Sequence, residues 1–223
     1  MSHELRTPIT AVQGVLENIV DGVAEPEPAT LRLALNQTER LGHLVADLLD
    51  LSRLDAGVVP LRRVRIDVAE FLDDAVRQAA ASAAGSGREV DFRVRELTTP
   101  LTVTADPWRL HQVFANLLEN AARHSPAGAR VLVGAEKRDG QLCFEVTDSG
   151  DGIPTGERSR VFERFTRGER ASGGGTGLGL AIARWVVELH GGSISATDPP
   201  DADDAPSAGC RIQVRLPLAD SWV

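Results

Sequence analysis

The chain reads as an α+β protein in two parts: an antiparallel two-helix hairpin, then an α/β sandwich. Three observations predict this. Over residues 2–24 the apolar side chains Leu5, Ile9, Val12, Leu16, Ile19 and Val23 recur at alternating spacings of four and three, the pattern of a helix that packs on other helices. After Pro60 short alternating runs and helical runs take turns, as in a sheet covered by helices. A glycine-dense segment, Gly173 to Gly179, runs directly into an amphipathic stretch. The expected division is 1–58 for the hairpin and 59–223 for the sandwich.

The elements follow in order. Ala24-Glu25-Pro26-Glu27-Pro28 breaks the first helix. A second runs from about Ala29 to Asp55, with Leu41, Leu44, Leu48 and Leu51 as its seam and Gly57 at its end. Two helices cannot bury that much apolar surface alone, whereas a dimer forming a four-helix bundle can. Arg62–Ile66 reads as a strand. Asp67-Val68-Ala69-Glu70 is a capping box that opens a helix to about Ala84. Val90, Phe92 and Val94 alternate as a strand, as do Leu101, Val103 and Ala105. Asp106-Pro107 caps a helix to about His124. Ala129–Lys137 and Leu142–Thr147 form a hairpin about Asp139-Gly140. A helix from about Gly177 to His190 is closed by Gly191-Gly192, and Ser193–Thr197 and Arg211–Leu216 are the last strands. The acidic, Pro- and Ala-rich segment 199–208 reads as a surface loop.

Four segments carry chemistry. In Asp148-Ser149-Gly150-Asp151-Gly152, a carboxylate at a strand end can accept from the exocyclic amine of adenine, and Gly150 and Gly152 let backbone approach the base. The backbone N–H groups of Gly175-Thr176-Gly177-Leu178-Gly179, with the positive end of the helix that follows, suit polyphosphate. Asn116 and Asn120 stand four apart and share a helix face. They cost helix propensity and offer neutral oxygen ligands of the kind Mg²⁺ takes alongside phosphates and water. His3 lies one position off the apolar seam, beside Glu4, and imidazole is a nucleophile once one nitrogen is bare and the other held. Pro8 predicts a bend just after it. His43 and His111 read as helix-surface residues and His190 as support for a helix C-terminus, while His124 could stack on a base.

These segments together resemble two-component sensor histidine kinases. Ser2–Pro8 is similar to their H box, Asn116–Asn120 to the N box, Asp148–Gly152 to the G1 box, Phe162-Glu163-Arg164-Phe165 to the F box and Gly175–Leu180 to the G2 box, in the family's order. The resemblance implies a dimeric helical hairpin followed by a Bergerat-type ATP-binding sandwich. It implies His3 as phosphoacceptor, Glu4 as its hydrogen-bond partner and proton acceptor, and Thr7 as the residue that orients water in phosphatase action. It further implies Asn120 as the Mg²⁺ ligand, Asn116 and Arg123 near the phosphates, Asp148 as the adenine reader, and Phe162 and Phe165 as lid anchors. His124 occupies a position where many relatives carry an aromatic, and Arg123 one where lysine is common. ATP and Mg²⁺ are the implied cofactors, and a second copy and a response-regulator receiver domain the implied partners. The implied place is the cytoplasmic side of a membrane-anchored parent. An ATPase or serine kinase of the same fold explains residues 60–223 but leaves His3 idle. A docking module without nucleotide leaves Asn120 and Asp148 idle.

Composition narrows the classes. A net charge of -8 repels a phosphate backbone and argues against nucleic acid. Cys143 and Cys210 form no metal or disulfide pattern. No run approaches the ~18 apolar residues of a membrane span, and Met1 is followed at once by polar residues, unlike a signal peptide. Residues 1–5 read as helix interior with no cap ahead, so we expect an upstream segment in a longer parent.

Overall fold

The computed structural model describes residues 2–35, 37–38, 41–42, 45, 60–164, 166, 177–199 and 209–218, with backbone alone over 2–7. The chain forms two compact units, Met1–Val59 and Pro60–Val223.

In the first unit, α1 spans Ser2–Val20 and runs through Pro8. It ends earlier than the heptad spacing predicts, because the chain turns at Asp21-Gly22 with Gly22 at φ 68°. Residues 28–35 are helical again, as are 37–38, 41–42 and 45. The predicted end of this helix lies outside the described residues. Within one copy much of the apolar seam of residues 2–24 is solvent-facing: Ile9 is 40% exposed, Leu16 48% and Val23 77%, while Val12 and Ile19 are half-buried.

In the second unit, β1 (Val64–Asp67) pairs antiparallel with β3 (Thr102–Ala105) as a small separate sheet. The main sheet orders its strands β2-β4-β5-β7-β6, with β2 at Val90–Val94, β4 at Ala129–Arg138, β5 at Gln141–Thr147, β6 at Ser193–Thr197 and β7 at Arg211–Pro217. Its ladders are antiparallel except β2 with β4. The local pattern of each strand foretold its existence and not that parallel partner. Three helices cover one face: α2 (Val68–Gly85), α3 (Pro107–His124) and α4 (Gly179–Leu189).

Capping sets where these helices begin. Asp67 accepts from the N–H groups of Ala69 and Glu70 at 2.9 and 3.1 Å, and Asp106 does the same for Arg109 at 3.2 Å. The β4–β5 turn places Asp139 at φ 51° and Gly140 at φ 73°, the backbone a tight right-twisted hairpin demands. The layers meet at three aromatic rings. Phe114 of α3 stands edge-on to Phe71 of α2 at 5.0 Å and to Phe144 of β5 at 5.2 Å. Phe114 and Phe144 are at most 1% exposed, and each such burial contributes roughly 2–3 kcal/mol.

The other sheet face is polar. Glu145, 7% exposed, accepts from Gln213 Nε2 at 2.7 Å and Arg211 Nη1 at 3.3 Å. Arg95 reaches it at 3.6 Å.

Candidate active site

α3 carries the two amides. Leu117 and Leu118, 1% and 0% exposed, lock one side of the helix into the core, which turns Asn116 and Asn120 to a partly exposed face. Asn116 Nδ2 is buried with no hydrogen-bond partner. Leaving such a donor unmatched costs about 1–3 kcal/mol, so the site is built for an acceptor. A β-carbon placed on Gly179 would sit 3.2 Å from Asn116 Oδ1. The glycine start of α4 therefore rests directly on this amide.

α4 itself starts without a side-chain cap. Leu178 occupies the cap position and makes no side-chain bond there; its side chain is 2% exposed and anchors in the core. Leu178 therefore offers the first-turn amides no side-chain acceptor, and those amides carry the positive end of the helix dipole. Gly177 precedes them at φ 68°.

Asp148 closes the site at the end of β5. It is 5% exposed, and its Oδ1 accepts from the N–H of Gly150 at 2.9 Å and of Cys210 at 3.1 Å. Both recorded bonds fall on one oxygen, which leaves Oδ2 for another donor. Burial pushes the Asp148 carboxyl above its ordinary pKa, against the pull of those two N–H groups.

Close approach explains the glycines of this turn, although the neighbour is the protein's own backbone. A β-carbon on Gly150 would lie 2.6 Å from the His124 carbonyl oxygen, and one on Gly152 2.8 Å from that of Gly209. The turn is pressed between the end of α3 and the entry to β7. Partial desolvation, then repulsion from Arg123, holds the His124 imidazole below its usual pKa, with Asp148 and Asp151 opposing. Arg123 pairs with Glu119 one turn back on α3.

The remaining predicted residues divide in two. Phe162 is 5% exposed in a 3-10 turn at Arg160–Phe162, beside a groove of about 410 Å³ that Ile194 and Ala196 also line. Phe165, Gly175 and Thr176 lie outside the described residues, as do the side chains of His3, Glu4 and Thr7, whose backbone is in α1. His111 lies half-exposed on α3, as the sequence predicts, but it has neighbours. Its ring packs at 4.7 Å on Phe71, and its Nε2 is 3.8 Å from Asp74.

Sequence reasoning missed Gly209 and Cys210, whose backbone completes the Asp148 turn. A glycine just ahead of the last strand was the available signal. His190 was also underestimated. It supports the C-terminus of α4 as expected, through Nδ1 and the Val186 carbonyl, but it is 3% exposed and its Nε2 also accepts from the Asp106 N–H. Among the described residues no three His, Cys, Asp or Glu side chains cluster to hold a metal. A hard cation here would rely on an amide carbonyl, phosphates and water, which the Asn120 carbonyl fits. No helix among the described residues is long and apolar enough to cross a membrane.

Comparison with known proteins adds the following. The family model for histidine kinase-, DNA gyrase B- and HSP90-like ATPases matches residues 105–220, and that for the His kinase A (phospho-acceptor) domain matches residues 1–57. The probable sensor histidine kinase TcrY of Mycobacterium tuberculosis is 38% identical over 99% of this chain, which spans 45% of its length. The solved histidine kinase AdeS of Acinetobacter baumannii superposes with a TM-score of 0.75 at 28% identity, over 97% of this chain and 98% of its own. Full-length ShkA, solved in complex with AMPPNP, gives a TM-score of 0.67 at 28% identity over 97% of this chain and 44% of its own.

Proposed function

The chain belongs to the sensor histidine kinases of two-component systems and has their Bergerat ATP-binding fold, and on that footing we propose that it transfers phosphate from ATP to His3 and thence to a receiver domain. The chain spans 45% of the length of two of the curated relatives it matches, so input and output of the whole protein belong to this proposal as well. The observation that carries it is the meeting of three features in one unit: the unmatched Asn116 amide, the uncapped glycine start of α4 resting on it, and the half-used carboxylate of Asp148.

In this reading adenine lies by Asp148, its exocyclic amine donating to Oδ2, with Gly150, Gly152 and His124 bounding the base. The first-turn N–H groups of α4 and the glycines 175, 177 and 179 with Thr176 receive the phosphates, with Asn116 and Arg123 beside them and Leu178 anchoring the turn. The Asn120 carbonyl would hold Mg²⁺, which when bound offsets charge on the phosphates. A bare ring nitrogen of His3, from the same or the partner subunit, attacks the γ-phosphorus. The new N–P bond forms as the P–O bond to ADP breaks, and Glu4 takes the ring proton. For a loose transition state of this kind positioning and charge do most of the work. The phosphoryl group then passes to an aspartate oxygen on the receiver domain, and Thr7 orients water when that product is hydrolysed. The parent protein is membrane-anchored in this proposal, with these units on the cytoplasmic side.

The nucleotide half is tested with a fluorescent ATP analogue and Mg²⁺. Asp148→Ala should weaken binding about 100-fold, the worth of a charge-assisted hydrogen bond in a buried pocket. Binding at wild-type strength would sink the adenine assignment. The dimer half rests on the seam of α1. Leu16→Glu should convert a dimer at micromolar concentration into a monomer by light scattering, since a charge at a bundle seam is left buried without a partner. A Leu16→Glu protein that stays dimeric would remove the hairpin as the interface.

A further inference from the structure

His190 follows the last residue of α4, and its ring is enclosed between two helices. Nδ1 lies 2.8 Å from the carbonyl oxygen of Val186. A carbonyl only accepts, so Nδ1 carries the proton. Nε2 lies 3.0 Å from the backbone nitrogen of Asp106. An amide N–H only donates, so Nε2 is bare. Two backbone partners thus specify the neutral Nδ1–H tautomer, with no room for a second proton.

What this joins is the two helices of the nucleotide site. Asp106 caps α3, and α3 carries Asn116 about 15 Å further on, ten residues at helical rise. Gly179 opens α4 about 16 Å from His190 by the same measure. The helices run antiparallel, so the spans match: Gly179 rests on Asn116 at one end, and His190 holds Asp106 at the other. The far end has further ties. Asp106 Oδ2 accepts from the Arg62 N–H at 2.9 Å, and Arg63 Nη2 donates to the Leu189 carbonyl at 3.1 Å.

We propose that His190 is a positioning residue of the nucleotide site: in its neutral form it fixes the axial register of α4 against α3, and so the seat of Gly179 on Asn116. The proposal rests on the nucleotide reading above. Protonation puts a second donor against the Asp106 N–H and opens the clasp. Burial is the main obstacle to that charge, Arg63 and Arg109 add to it, and the Asp106 carboxylate and the Val186 carbonyl oppose them, for a net pKa below the usual histidine value. A histidine depressed in the folded state supplies stability in full above its unfolded pKa, near 6.5. That stability is lost as pH falls from there toward the folded pKa.

The test uses the full chain, the same analogue with Mg²⁺, pH from about 5 to 8, and two variants. His190→Gln keeps an acceptor for the Asp106 N–H and cannot titrate. It should bind within about threefold of wild type at pH 7.5 and show less acid weakening than wild type, keeping only the part due to the nucleotide, His124 and Asp148. His190→Leu, checked for folding by its melting temperature, should bind roughly tenfold more weakly, the worth of one buried hydrogen bond. An acid limb in His190→Gln that superposes on wild type would overturn the proposal, as would wild-type affinity in a folded His190→Leu. Nitrogen-15 NMR of the imidazole separates this from the broader reading. An Nε2–H tautomer at pH 7.5 removes the clasp. A wild type that keeps the Nδ1–H tautomer but binds no nucleotide removes the proposed function and leaves the clasp standing.

Discussion

Replacing His3 by alanine should leave the protein unable to retain phosphate from γ-labelled ATP, with incorporation down by roughly a thousandfold or more, because the nucleophile itself is gone. The other described histidines are engaged elsewhere. Both nitrogens of His190 are occupied, and the ring is buried. The His111 ring packs on Phe71. The His124 carbonyl is pinned against Gly150, at the adenine end of the proposed site. The wild-type label should be acid-labile and alkali-stable, as a phosphoramidate is. Nucleotide affinity of the variant should match wild type, since His3 belongs to the other unit. Asn120→Ala in the same assay should also lose label, and here nucleotide and Mg²⁺ binding fall with it. Retention of label in His3→Ala would end the phosphoacceptor assignment, and an alkali-labile product would point to serine.

Gly209→Ala should unfold the nucleotide unit more readily than any other single methyl group added at the site. Gly209 sits at φ 136°, and a β-carbon there would lie 1.9 Å from the Asp148 carbonyl oxygen and 3.1 Å from the Ser149 Cα. Both neighbours are backbone and cannot rotate away. Strain at that φ costs about 1–3 kcal/mol, and displacing packed backbone adds a comparable amount. A loss of about 3 kcal/mol lowers the melting temperature of a unit this size by roughly 10 °C. The same shift moves the Cys210 N–H off Asp148 Oδ1, so nucleotide affinity should fall as well. Gly156→Ala is the control, because a β-carbon there meets nothing within 4 Å. Equal melting temperatures for the two variants would show that the contact with Asp148 is not tight in solution.

Local chemistry was legible in the sequence wherever one residue's neighbours along the chain decide its fate. Asp67 and Asp106 announced helix starts, Asp139-Gly140 a tight turn, and the spacing of Asn116 and Asn120 a shared face. What was not legible involves partners far apart along the chain. The Gly209 backbone meets Asp148, and His190 reaches Asp106. Neither residue carries a local pattern that names its partner. The parallel pairing of β2 with β4 escaped for the same reason, since alternation places a strand and says nothing of which edge it joins. The crowding at Gly150 and Gly152 was legible, but not that part of it comes from the backbone of His124 and Gly209, because a glycine admits any backbone that comes close.

One consequence of the strand order concerns synthesis. β7 lies between β5 and β6, hydrogen-bonded to both, although β6 precedes it in the chain. Until residues 211–217 leave the ribosome, β5 has one open side, β6 has no ladder at all, and the Asp148 turn lacks the Cys210 N–H. A nascent chain halted before residue 210 therefore carries an open β5 edge and an unpaired β6, the condition under which strands aggregate. The nucleotide unit should gain protease resistance in a single late step, after its last strand has emerged.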